Sequence, residues 1–192
     1  MLTRAQRRGF LGPGPVDEHL QHATAYIDAV AAAPTTALDL GSGAGVPGLV
    51  LALAWPASRW ILLDGSVTRA AHLDDAVAEL GLADRVTVVA ARAELAARDE
   101  RWRGRLDLVV ARSFGPAAVT AECASGFLRV GGRLVVSEPP VDVAGRWPAE
   151  GLAQLGLLDE GRHGAVRVLV QEESTPERYP RRVGVPTKRP LW

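Results

Sequence analysis

Lysine is almost missing from this chain: of 22 basic residues in 192, only Lys188 is a lysine. With the many alanines, that arginine excess reads most simply as the codon usage of a GC-rich genome. Cysteine is as scarce. A lone Cys123 forms no internal disulfide, which points to a reducing compartment. No apolar run reaches the ~18 residues of a membrane span. The longest, near Leu49 to Trp55 and Ile61 to Leu63, are broken by Pro56 and Asp64. The first twenty residues carry Arg4, Arg7 and Arg8 without the apolar stretch of a secretory signal, so a cytoplasmic protein is expected. No repeat of fixed period is present. What remains is globular composition, 47% hydrophobic and 23% charged, which excludes a mainly disordered chain. The length fits one domain of roughly 150 residues with an appendage.

Net charge is zero, yet the charges are segregated. Arg4, Arg7 and Arg8 make the first eight residues basic. Arg178, Arg181, Arg182, Lys188 and Arg189 do the same for the last fifteen. The stretch between them, residues 9–177, holds fourteen arginines against all 22 acids, a balance of −8. Two basic ends on an acidic body suit a polyanionic partner.

Short apolar runs alternate with helical patterns, the sign of βαβ units and a parallel sheet. Strands are predicted at Thr36 to Leu40, Trp60 to Leu63, Arg85 to Ala90, Leu106 to Ala111 and Arg133 to Ser137. Helices are predicted at Val16 to about Ala33, Leu49 to Ala54, Ser66 (as N-cap) to Gly81, and Pro116 to Leu128 with a stop at Gly131-Gly132. Past Pro139-Pro140, Leu152 to Leu158 and Val166 to Gln171 read as an antiparallel pair completing the sheet. Four prolines in the seventeen residues after Thr175 predict an extended arm. The expected fold is α/β, a Rossmann-like, mostly parallel seven-stranded sheet with a terminal antiparallel pair and helices on both faces. The expected division is a lead and helix over 1–35, a binding domain over 36–173 and a basic arm over 174–192.

The first strand ends in Gly41-Ser42-Gly43-Ala44-Gly45-Val46-Pro47-Gly48. Such glycines let the backbone approach a ligand, and the next helix directs free N–H groups at it. Gly43, Gly45 and Gly48 match G-x-G-x-x-G, so a nicotinamide or flavin cofactor has to be weighed, though the motif alone is weak. Asp39 shifts the balance. A carboxylate at this strand end repels a pyrophosphate and suits a cationic ligand. Asp64 closes the second strand, twenty-one residues after Gly43, where it can accept from both ribose hydroxyls of a nucleoside. The competing reading of Asp64 is a turn acid before Ser66.

Hydride transfer finds no proton donor, since no Tyr-x-x-x-Lys pair exists and Lys188 lies in the arm. His19 and His22 share a helical spacing without a third metal ligand and read as a solvated face. No Ser-His-Asp or Cys-His arrangement is present, and Cys123 reads as core. No metal or membrane partner is expected.

Leu38-Asp39-Leu40-Gly41-Ser42-Gly43-Ala44-Gly45-Val46-Pro47-Gly48 resembles motif I of class I S-adenosylmethionine (SAM)-dependent methyltransferases. The Val46-Pro47-Gly48 extension resembles the bacterial small-subunit ribosomal RNA methyltransferase G family, guanine-N7 methyltransferases. Leu62-Leu63-Asp64 with Ser66, Ala91-Arg92-Ala93-Glu94, and Ala111-Arg112-Ser113-Phe114 agree with it in order. The tail from Arg178 to Leu191 is similar to that family's proline- and arginine-rich C-terminus. The resemblance implies SAM as cofactor, with contacts at Gly41, Val46, Ala93, Glu94 and Arg112 and with Asp64 on the ribose. The glycine loop adds Asp39, Gly43 and Gly45. It also implies ribosomal RNA or the small ribosomal subunit as partner, with Arg112, Arg178, Arg181, Arg182, Lys188 and Arg189 toward the RNA. Guanine N7 carries a lone pair and no proton, so in-line transfer needs no general base.

Two departures stand against this. The N-terminal lead is short and Gly/Pro-rich, and Ser137-Glu138-Pro139-Pro140 stands where the family commonly has a Lys-Gly pair. Both keep open a methyltransferase of a small molecule or protein, and a non-catalytic module with the same fold.

Overall fold

A computed structural model describes all 192 residues. The chain opens with helices α1 (Leu2–Arg7) and α2 (Val16–Asp28) and then alternates: β1 (Thr36–Leu40), α3 (Gly48–Ala54), β2 (Arg59–Asp64), α4 (Val67–Glu79), β3 (Val86–Ala90), α5 (Ala93–Ala96), β4 (Leu106–Ala111), α6 (Ala117–Ser125) and β5 (Leu128–Ser137). Helix α7 (Ala149–Ala153), strands β6 (Leu157–His163) and β7 (Val166–Gln171), and the single turn α8 (Val185–Lys188) complete it. The seven strands form one sheet in the order β3-β2-β1-β4-β5-β7-β6. The first five are parallel, and β7 runs antiparallel between β5 and β6. No helix is long and apolar enough to cross a membrane.

Strand alternation divides the apolar side chains between the two faces of the sheet. Leu38, Leu40, Val109 and Leu134 face α6, and the largest core cluster, of 24 buried residues, gathers there. Ala37, Leu62, Leu108 and Val135 face the other way, into a cluster of 17 that includes the fully buried Trp60 and Tyr26. The order of strands reverses between β1 and β4. In such sheets a crevice opens at the carboxyl ends of the strands at this point.

Several boundaries differ from the sequence expectation. Helix α2 stops at Asp28 rather than near Ala33, and α1 was not expected. Helix α6 ends at Ser125, and Gly131-Gly132 lies inside β5 rather than after a helix. The pairing of β4 with β5 slips there, Leu106 facing Leu128 but Leu108 facing Arg133. A Cβ at Gly132 would stand 2.8 Å from the Leu106 carbonyl oxygen, so the glycine marks close backbone approach in a bulge. The run from Leu152 to Leu158 is split: α7 covers its start, Gly156 turns at φ +74, and β6 begins at Leu157.

The largest difference is the tail, which is docked rather than extended. Tyr179 is buried in the main core. Arg98 and Arg103 donate to tail carbonyls, among them Pro180 O (2.9 Å) and Tyr179 O (2.9 Å). Trp192 Nε1 donates to Arg146 O.

Candidate functional site

The carboxyl ends of the parallel strands open into one cleft of about 1210 Å³. That is more room than the ~300–1,000 Å³ of a typical small-ligand site. The loop after β1 forms its floor. Gly41 and Ser42 donate their N–H groups to Leu63 O at 2.8 and 3.0 Å, tying the loop to the end of β2. Gly41 sits at φ +74, and a Cβ there would come within 2.7 Å of the Phe114 ring. Only glycine combines that backbone with that approach.

Asp64 faces the loop. It is 2% exposed, and Oδ2 accepts from Gly43 N at 3.0 Å while Oδ1 accepts from Ser66 N at 2.8 Å. Arg69 Nε reaches both oxygens, at 3.0 and 2.9 Å. The turn-acid reading of Asp64 therefore describes one of its bonds, and the loop and Arg69 account for the others. Ser66 caps α4 by accepting from Arg69 N, as its position suggests.

Of the expected contacts, Gly41, Gly43, Val46 and Asp64 line one side of the cleft. Ala93, Glu94 and Arg112 line it further along. Glu94 Oε1 accepts from Gly184 N (2.9 Å) and Arg92 (3.2 Å). Burial works to raise its pKa, but these donors prevail and hold the carboxyl below its usual range. Arg112 is half-buried and has no carboxylate at ion-pair distance. Burial lowers its pKa, against the pull of Tyr26 and Asp39.

Asp39 and Gly45 do not line the cleft. Asp39 points to the opposite sheet face, 1% exposed, and accepts from Gly48 N at 2.9 Å. It anchors the start of α3 instead of meeting a ligand, because its neighbours Leu38 and Leu40 claim the other face. Burial raises its carboxyl to about 7, although Gly48 N–H and Arg112 pull downward.

The basic tail divides. Arg181 is drawn onto the buried Glu122, with its backbone N at 2.7 Å and its Nη2 at 2.6 Å from the carboxylate oxygens. It is not free for a phosphate. Arg178, Arg182, Lys188 and Arg189 are exposed and lie outside the cleft. Sequence reasoning missed His19 and His22 as cleft residues: both line the cleft, and both are partly buried. Burial, then the nearby Arg112, lowers the pKa of His22. Its signal was Tyr26, one helical turn on, whose hydroxyl donates to Ala111 O (2.9 Å) and pins α2 to the end of β4. No three His, Cys, Asp or Glu side chains converge as a metal site.

Solved structures share this fold. A geranyl diphosphate methyltransferase solved with SAM superposes with TM-score 0.57 over 80% of this chain and 75% of its own, at 16% identity. Geranyl diphosphate C-methyltransferase from Streptomyces coelicolor A3(2) gives 0.51 over 62% and 46%, at 22% identity. The fold is that of the class I SAM-dependent methyltransferases. In sequence, the chain is 37% identical over 82% of its length to the ribosomal RNA small subunit methyltransferase G of Prochlorococcus marinus (strain MIT 9313), covering 68% of that protein. It is 38% identical over 81% of its length to that of Deinococcus radiodurans, covering 65%. The chain thus spans about two thirds of the length of these curated relatives. Residues 15–138, from the start of α2 to the end of β5, match the family described as rRNA small subunit methyltransferase G, and the chain belongs to that family.

Proposed function

We propose that this chain binds SAM in the cleft and methylates guanine N7 in small-subunit ribosomal RNA. One observation carries the reading: a close-approach glycine loop, a buried carboxylate and an unpaired guanidinium line a single cleft at the reversal of strand order. That donor and acceptor set fits SAM. Asp64 is placed to accept from the ribose hydroxyls, and Gly41 lets the backbone lie against the ligand. Arg112 is the one free cation near the loop for an α-carboxylate, which it would hold by charge-assisted hydrogen bonds. Ala93 and Glu94 close the cleft at the end of β3, beside the base of the nucleoside.

When bound, SAM supplies a methyl group on a sulfonium, open to in-line displacement. The chain's own task is to place the acceptor, which can supply roughly 7–11 kcal/mol of barrier lowering. Guanine N7 attacks through its own lone pair, so no residue has to take a proton. His22 and the carboxylates of the cleft are not required as bases. Exposed Arg178, Arg182, Lys188 and Arg189 are suited to phosphates of a polyanionic substrate, as are Arg7 and Arg8 at the other end.

Nucleoside mass spectrometry of small-subunit ribosomal RNA, from cells with and without the gene, tests the reading. Loss of one N7-methylguanosine on deletion, restored by the wild-type gene, is expected. An unchanged N7-methylguanosine content rejects it.

A further inference from the structure

Glu138 follows directly on β5 and lines the cleft beside Ser137 and Pro139. Its backbone N donates to Ala165 O (2.9 Å), fixing it against the start of β7. The side chain is fully buried. Oε1 accepts from Trp147 Nε1 (2.9 Å) and Arg146 Nε (3.1 Å). Oε2 is buried with no partner at all. A carboxylate oxygen held this rigidly and left without a donor is costly, and donors on a ligand relieve it.

Position says which ligand. Across the sheet the cleft residues follow strand order: Asp64 at the end of β2, the glycine loop after β1, Arg112 after β4, Glu138 after β5. Glu138 thus lies past Arg112 and away from the ribose-holding end, where the methyl acceptor belongs. Guanine presents two adjacent donors, N1–H and the 2-amino group, on its Watson–Crick edge. Adenine presents a lone pair at N1, and cytosine one at N3. A grip on that edge leaves N7, on the far side of the ring, free to face the methyl donor.

From this we infer that Glu138 is a specificity-determining residue that reads guanine by accepting from N1–H and the 2-amino group at Oε2. The inference rests on the guanine-N7 reading above. Arg146 and Trp147 orient the carboxylate through Oε1. Oε2 is buried, so the groups around it have to shift to admit the base.

The test uses small-subunit ribosomal RNA from cells lacking the gene, and the same RNA rebuilt by ligation with inosine, which lacks the 2-amino group, at the guanine that is modified. Methyl transfer is followed by mass spectrometry for wild type and Glu138→Gln, with SAM affinity measured by calorimetry. The wild type is expected to prefer guanine over inosine by about tenfold. Glu138→Gln should lose about 10- to 100-fold in kcat/KM on guanine, discriminate less than twofold, and bind SAM as the wild type does. A variant that slows on both RNAs by the same factor overturns the inference, since a merely structural residue behaves so. If the variant does not fold, the wild type decides: equal rates on guanine and inosine overturn the inference, and the tenfold preference supports it. A wild type that methylates no guanine overturns both this and the reading beneath it. An active wild type with unaltered preference in the variant overturns this alone.

Discussion

Both oxygens of Asp64 already have donors: Gly43, Ser66 and the Arg69 guanidinium. The two backbone donors belong to the loop and the helix cap and stay. Arg69, whose side chain is 43% exposed, is the one that can swing away when a ribose arrives. Ion pairs with one partner this exposed are worth up to about 1 kcal/mol. Arg69→Ala should accordingly strengthen SAM binding by about threefold to fivefold in calorimetry, and weaker binding would make Arg69 a holder of the ligand instead. Asp39 tests a different point. Its folded pKa of about 7 lies above the ordinary 3.8, so the folded chain binds this proton more tightly than the unfolded one. The stabilisation is complete below about pH 4 and is lost as pH rises toward 7. Asp39→Asn keeps an acceptor for Gly48 N–H, and its denaturation midpoints between pH 4.5 and 7.5 should fall less steeply than those of the wild type. Parallel curves would contradict this. Asp64 and the glycine loop were legible in the sequence because strand end, turn and helix cap lie close along the chain. Asp39 was misplaced because its distance from the loop says nothing about which face of β1 it occupies.

Elements were legible where their signals were local. The five parallel strands and β7 appear where apolar runs and glycine punctuation put them, whereas β6 begins only at Leu157 because α7 and Gly156 take up the start of its expected run. Gly131-Gly132 misled because two glycines mark either a helix stop or a bulge, and the pairing of β4 with β5 decides between them. The docked tail was illegible for a similar reason. It is held by partners 59 and 90 positions away, Glu122 for Arg181 and Glu94 for Gly184, which no spacing rule connects. Docking changes what the tail does. Arg181→Ala takes the guanidinium from a buried carboxylate, leaving it only the backbone N–H of residue 181, and should cost about 3 kcal/mol of stability, measurable by urea denaturation. A change within ±0.5 kcal/mol would show the pair to be incidental. Removal of everything after Glu177 takes away the Gly184 N–H as well, so it affects the Glu94 wall of the cleft together with any RNA contact.

At the scale of the molecule, an acidic body carries exposed basic groups on its tail, with a ligand cleft at one sheet edge. With Arg181 engaged, four tail cations remain for phosphates: Arg178, Arg182, Lys188 and Arg189. If all four contact single-stranded RNA, they contribute about −2.8 to the slope of log affinity against log salt, at about −0.7 each. Their joint replacement by alanine should remove that part of the slope and leave SAM affinity unchanged. A slope that persists would place the RNA elsewhere.

Beneath both the chemistry and the RNA reading lies the ligand assigned to the cleft. Calorimetric titration of SAM and of NAD into wild type and Asp64→Ala tests that assignment most directly. Two hydrogen bonds to a charged acceptor are worth ~1.5–3 kcal/mol each. One SAM should bind per wild-type chain, about 100-fold or more weaker to Asp64→Ala, with no heat from NAD. Equal SAM affinity in the two proteins, or binding of NAD in place of SAM, would contradict it.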